Sequence, residues 1–218
     1  MSSIPIFDSL THPTLNGEWQ AYGGKSNASM DVLLKQMDES NTQWGFAVGM
    51  KGIGGYDESK FSEWVLSKTN KLFPIAYIDI STIADDSISI IKHFSDLKKK
   101  GYVGIKLHPR LSKFALGDKK LVTVIKAAHQ AGMIILLCTY FYDTTAISAK
   151  NNIESLVELL ANFTEERMIL LHAGAVRVLE LTEITRAFKN VLLDLSLTFT
   201  KYEGSSIDLD IKFLFQSF

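Results

Sequence analysis

Residues 132–140 read Gly-Met-Ile-Ile-Leu-Leu-Cys-Thr-Tyr. A glycine stands where a helix should stop, since it accepts the left-handed conformation beyond a helix end at little cost. Five consecutive apolar residues follow. They do not alternate with polar ones, which marks a strand covered on both faces, as in a parallel α/β sheet. The run then ends on Cys138, Thr139 and Tyr140, side chains able to take part in chemistry.

The same pattern recurs along the chain. Strands are expected over residues 4–10, 43–50, 72–80, 103–108, 133–140, 168–173 and 191–197. Helices are expected over 28–39, 58–68, 85–100, 119–131, 152–162 and 176–188, with a last one from about 207. Gly101 and Gly132 mark helix ends. Asp85 and Asn151 or Asn152 mark helix starts, because their side chains can accept from free backbone N–H groups. Alternating β and α segments leave two architectures, a closed barrel or an open doubly wound sheet. No Gly-x-Gly-x-x-Gly follows the first strand. Gly52-Ile53-Gly54-Gly55, after the second, lacks the rest of a nucleotide fingerprint and reads as a flexible loop.

What decides for the barrel is where the polar residues fall. Side chains two apart on a strand share a face. Asp8, Leu10 and His12 therefore point one way in the first strand, and Lys106 and His108 in the fourth. Cys138 ends the fifth, His172 the sixth, and Asp194 and Ser196 the seventh. Catalytic residues of β/α barrels gather at the C-terminal ends of the strands. The expected fold is a TIM-type parallel (β/α) barrel, one domain over 1–218, ending before an eighth strand.

Composition narrows the function. The chain has 218 residues, 46% hydrophobic and 22% charged, with 23 basic against 24 acidic residues. Near-neutral charge gives no basic field for a phosphate backbone, so no nucleic-acid partner is expected. Lys98-Lys99-Lys100 is read as a helix end, where cations meet the negative pole of the macrodipole. The single cysteine, Cys138, rules out an internal disulfide and suits a reducing cytoplasm. No secretory signal and no membrane-spanning apolar run is present, so no membrane partner is expected. The two open edges of an unclosed barrel invite pairing with another chain, which favours a homodimer.

At the strand ends the sequence resembles a known family. Phe7-Asp8-Ser9-Leu10-Thr11-His12-Pro13 is similar to the first-strand Asp-x-His-x-His signature of the amidohydrolase superfamily. Gly104-Ile105-Lys106-Leu107-His108-Pro109 resembles the Gly-x-Lys-Leu-His-Pro segment of its "amidohydrolase 2" branch, the aminocarboxymuconate-semialdehyde-decarboxylase-like group. Met168 to Gly174 resembles that branch's His-x-Gly strand, and Asn190 to Ser196 its Asn-Val-x-x-Asp-x-Ser strand. The resemblance implies a divalent-metal site, usually zinc, and hydrolysis of amide, ester or lactone bonds in small molecules.

The metal motif is degenerate. Leu10 stands for the first histidine of the pair and Cys138 for the fifth-strand histidine, while His12 and His172 match directly. His12, Cys138 and His172 form the expected zinc set, since catalytic zinc often uses three protein ligands. Lys106, His108 and Asp194 are the expected catalytic residues: the first two to bind or polarise a small anionic substrate, Asp194 to accept a hydrogen bond from it or fix a histidine ring. A nucleophilic Cys138, activated by Lys106, His108 or His172, is a further reading. Trp19, after the His12 loop, is placed to cover a substrate. His93 and His129 read as helix-surface residues. Two alternatives stand beside the metal enzyme: a metal-free hydrolase, such as the similar pyrone-dicarboxylate lactonases, and a non-catalytic binding protein or fragment of a longer enzyme.

Overall fold

The computed structural model describes residues 4–21, 24–142 and 150–217. The elements, in chain order, are β1 (Ile6–Thr11), β2 (Glu18–Ala21), β3 (Gly24–Asn27), α1 (Met30–Glu39), β4 (Thr42–Val48), α2 (Glu58–Lys68) and β5 (Leu72–Ile78). They continue with α3 (Ser87–Lys99), β6 (Gly104–Leu107), α4 (Pro109–Ser112), α5 (Lys119–Gln130), β7 (Ile134–Cys138), α6 (Ile153–Leu160), β8 (Met168–Leu171), α7 (Val178–Ala187), β9 (Val191–Leu193), α8 (Thr198–Lys201) and α9 (Ser206–Ser217). Seven strands run in the order β1-β4-β5-β6-β7-β8-β9. The sheet order follows the chain order, and the β1–β4, β4–β5, β7–β8 and β8–β9 pairs are parallel. This is the topology of a TIM-type β/α barrel, as expected. Among the described residues no helix is long and apolar enough to cross a membrane.

The chain divides into two compact units. The first is Met1–Ile78 with Lys92–Lys106, and the second is Asp79–Ile91 with Leu107–Phe218. In the first, β4 and β5 are buried almost throughout. Gly45 lets β1 lie close to β4: a Cβ there would stand 2.9 Å from the Asp8 carbonyl oxygen. In the second, Ile135, Leu136, Leu137, Leu170 and Leu171 are fully buried, which accounts for their unbroken apolar runs.

The helix ends follow the local chemistry, with one shift. Asn152 and Ser155 form a reciprocal capping box at the start of α6. Gly101 and Gly132 take φ of 95° and 69° beyond α3 and α5. Lys98 and Lys99 lie in the last turn of α3, as read. Asp86, rather than Asp85, accepts the Ser89 N–H at the head of α3, and Asp85 pairs with Lys120.

Two features depart from expectation. Within the glycine run at 52–55, Gly54 is packed: a Cβ on it would stand 2.2 Å from the Thr14 side chain, and its carbonyl accepts the Asn16 N–H, while Gly52 has open space around it. The antiparallel hairpin β2–β3 is not signalled by alternation, because Gly24-Lys25-Ser26-Asn27 of β3 lacks an apolar face and β2 is only four residues long.

Candidate functional site

The expected chemical residues fall at or just beyond the C-terminal ends of the strands: His12 after β1, Lys106 and His108 on and after β6, Cys138 ending β7, His172 after β8 and Asp194 after β9. Each unit holds one cluster of them. His93 and His129 lie on α3 and α5 and belong to neither.

In the first unit, the Thr11 hydroxyl donates to the Phe46 carbonyl at 2.7 Å, fixing the strand end that presents His12. His12 Nδ1 lies 2.8 Å from the Val48 carbonyl oxygen. A carbonyl only accepts, so Nδ1 carries the proton and Nε2 the lone pair. That lone pair faces Lys106 Nζ at 3.2 Å. Lys106 is 1% exposed, a long cationic side chain almost wholly withdrawn from water. Trp19, carried on β2, stacks on the His12 ring with centroids 5.0 Å apart. The covering role expected of Trp19 is therefore exercised on His12 itself. Leu10 and His12 also line a cavity of about 270 Å³ with Asp8, Ser29 and Gln36.

In the second unit, His172 is held through both its ring and its backbone. Its Nδ1 donates to the Ser196 carbonyl at 2.8 Å, its backbone N–H reaches Asp194 at 3.4 Å, and its carbonyl accepts from the Thr198 hydroxyl at 2.6 Å. Asp194 also accepts from the Ser196 N–H at 3.1 Å and from the Ser196 hydroxyl. Asp194 thus fixes the histidine's backbone and the serine whose carbonyl orients the ring. Anchoring of this density accompanies strain: φ is positive at His172 (66°), Ala173 (40°), Gly174 (68°) and Ala175 (56°). Left-handed backbone at non-glycine residues costs free energy and is held only where the surroundings dictate it. Here the Gly174 N–H donates to the Thr139 hydroxyl, which itself donates to the Leu171 carbonyl.

Cys138 is 1% exposed and His108 3%. Burial raises the thiol's pKa, but the hydrogen bonds and charge of His108 and His172 outweigh it and hold Cys138 well below the usual thiol range. The histidines play different parts. His108 Nδ1 accepts the Leu111 N–H at the start of α4, so its proton sits on Nε2. His172, with its proton on Nδ1, has Nε2 as the nitrogen able to take a proton.

Sequence reasoning missed a cationic rim beside this cluster. Tyr140 meets His172 edge to face, with centroids 6.5 Å apart. Arg110 Cζ lies 5.0 Å from the Tyr140 ring centre and Lys201 Nζ 4.7 Å, with Lys201 also bonded to the phenol oxygen. Arg110 and Lys201 stand on α4 and α8, short helices directly after strand ends. Their only sequence signal was that position, since loop cations ordinarily read as solvated surface.

The same geometry bears on His12, one of the expected zinc ligands. Leu10 offers no donor atom, and the His12 lone pair is directed at an ammonium group. Among the described residues no three His, Cys, Asp or Glu side chains are grouped to hold a metal ion. The donor set around His12 does not fit a divalent cation.

Comparison with solved structures agrees with the fold. An uncharacterized TIM-barrel protein from Bordetella bronchiseptica superposes with a TM-score of 0.76 at 14% identity, over 96% of this chain and 80% of that one. A protein described as a probable 2-pyrone-4,6-dicarboxylic acid hydrolase from Acinetobacter baumannii, with citric acid bound, gives 0.60 at 16% identity, over 89% and 71%. The 4-oxalomesaconate hydratase of Rhodopseudomonas palustris gives 0.55 at 15% identity, over 83% and 62%. No protein-family model and no curated protein sequence matches the chain. The class defined is a TIM-type β/α barrel with polar clusters at its strand ends, and its similar structures include proteins described as amidohydrolases.

Proposed function

We propose that the protein is an amidohydrolase-like hydrolase that opens an ester, lactone or amide bond in a small anionic molecule. The observation that carries this reading is His172, whose Nδ1–H is pinned on the Ser196 carbonyl so that Nε2 is the proton-accepting nitrogen. A histidine held in one tautomer by a backbone carbonyl is equipped for general-base work near neutral pH. In the step proposed, water attacks the substrate carbonyl carbon while its proton passes to His172 Nε2. The C–O or C–N bond then breaks, and the same proton goes to the leaving oxygen or nitrogen. Asp194 acts through His172 and Ser196 as a positioning residue. His108, whose Nδ1 is taken by the Leu111 N–H, has Nε2–H as the donor suited to polarise the carbonyl oxygen.

The anionic character of the substrate is supported by Arg110 and Lys201, two cations held against one tyrosine beside His172. Guanidinium and ammonium groups near an aromatic face suit carboxylate recognition. A similar fold has been seen with citric acid, itself a carboxylate, which agrees in kind.

The test is a panel of small lactones, esters and amides, each offered as the carboxylate and as its neutral methyl ester. Hydrolysis of carboxylates in preference to neutral partners is expected. Activity confined to neutral members, or none across the panel, would sink the proposal.

A second reading is favoured by the lowered thiol of Cys138. There the thiolate attacks the carbonyl carbon, an acyl-thioester forms as the leaving group takes a proton from an imidazolium, and water then releases the acid. Cys138→Ser would abolish turnover in that case, and intact mass would gain one acyl group during reaction. Under the first reading Cys138→Ser retains hydrolysis and no adduct appears.

A further inference from the structure

We infer that the Lys106 ammonium is the fixed cation of the first unit's strand-end cluster, held on His12 where a divalent metal ion would otherwise bind. Its placement on His12 stands independently of the hydrolase reading.

Three observations converge. The Val48 carbonyl forces the His12 proton onto Nδ1, so Nε2 is the only ring nitrogen that could bind a metal. That nitrogen accepts from Lys106 Nζ at 3.2 Å, and one lone pair cannot serve both a hydrogen bond and a metal. A second cation brought to Nε2 would also sit beside a buried ammonium, with little water to screen the repulsion. Leu10, two residues before His12, withholds the further donor a metal needs.

The same arrangement suits a permanent charge. Lys106 lies on a strand of the sheet, where its position is more exact than on a loop. It is 1% exposed, and Trp19 closes one face of the imidazole that holds it. Lys106 would provide, as part of the chain, the charge that the family resemblance assigns to zinc.

The test uses Trp19 as a reporter of His12, in full-length protein carrying Trp44→Phe and Trp64→Phe so that Trp19 alone emits. Zinc chloride is titrated into this protein and into the same protein with His12→Ala. Unchanged Trp19 emission is expected in both. A saturable change that disappears with His12→Ala would mean that His12 binds zinc, and would overturn the inference.

Discussion

The two units carry different chemistry at their strand ends. The first holds a buried cation, Lys106, on a neutral imidazole. The second holds a thiol drawn toward its anion by two imidazoles. Histidine serves both because it is the side chain whose ring presents either a donor or an acceptor at ordinary pH. The neighbouring backbone group decides which. At His12 and His172 a carbonyl claims Nδ1–H and makes Nε2 the acceptor; at His108 a backbone N–H claims Nδ1 and leaves Nε2 the donor. Side-chain chemistry in this chain is set by the strand ends that hold it.

In the second unit the His172 segment is fixed by a carboxylate, and that anchoring can be broken by mutation. Asp194→Ala removes the acceptor for the His172 N–H, the Ser196 N–H and the Ser196 hydroxyl. Chemical denaturation should register a loss of about 3 kcal/mol, since buried donors left unpaired cost roughly 1–3 kcal/mol each. A loss below about 1 kcal/mol would mean that the His172 segment does not depend on this carboxylate. Gly174→Ala comes next. A Cβ there would stand 2.5 Å from Leu181 at a φ of 68°, so a loss of about 1–3 kcal/mol is expected by the same measurement.

The rim is tested by kinetics. Arg110→Ala should raise KM for an anionic substrate about tenfold or more, the worth of a hydrogen bond to a charged group, with kcat little changed. The neutral methyl ester should show no such penalty. Equal losses on both substrates would place Arg110 in the scaffold instead.

The first unit makes a contrasting prediction in alkali. Tyr102 is fully buried and donates its hydroxyl to the Glu58 carbonyl at 2.8 Å. Burial raises its pKa from 10.0 to about 12. Because the folded value exceeds the unfolded one, this stabilisation is complete below pH 10 and is lost as pH rises through about 12. Denaturation midpoints should therefore fall over that interval in the wild type and less steeply in Tyr102→Phe. Parallel falls would assign the alkaline loss to other groups.

Much of the scaffold was legible because local chemistry dictated it. Unbroken apolar runs such as Ile134–Leu137 reflect burial on two faces, and Gly101, Gly132 and Asn152 stop and start helices by their own backbone or side-chain preferences. The polar strand ends were visible for the same reason. The hairpin β2–β3 was not, since Gly24-Lys25-Ser26-Asn27 has no apolar face to betray it. Contacts over long separations were also out of reach. Lys106 and His12 are 94 residues apart, and only the folded chain shows that the histidine's lone pair is taken by the lysine. Arg110 and Lys201 gain meaning only from the Tyr140 ring that brings them together.

The most direct test of the account is the hydrolysis rate of a small carboxylated lactone by wild type and His172→Ala, compared at saturating substrate. Loss of a positioned general base should lower kcat about 10²–10⁴-fold while the protein stays folded. A His172→Ala variant that is folded and hydrolyses the lactone at the wild-type rate would contradict the account.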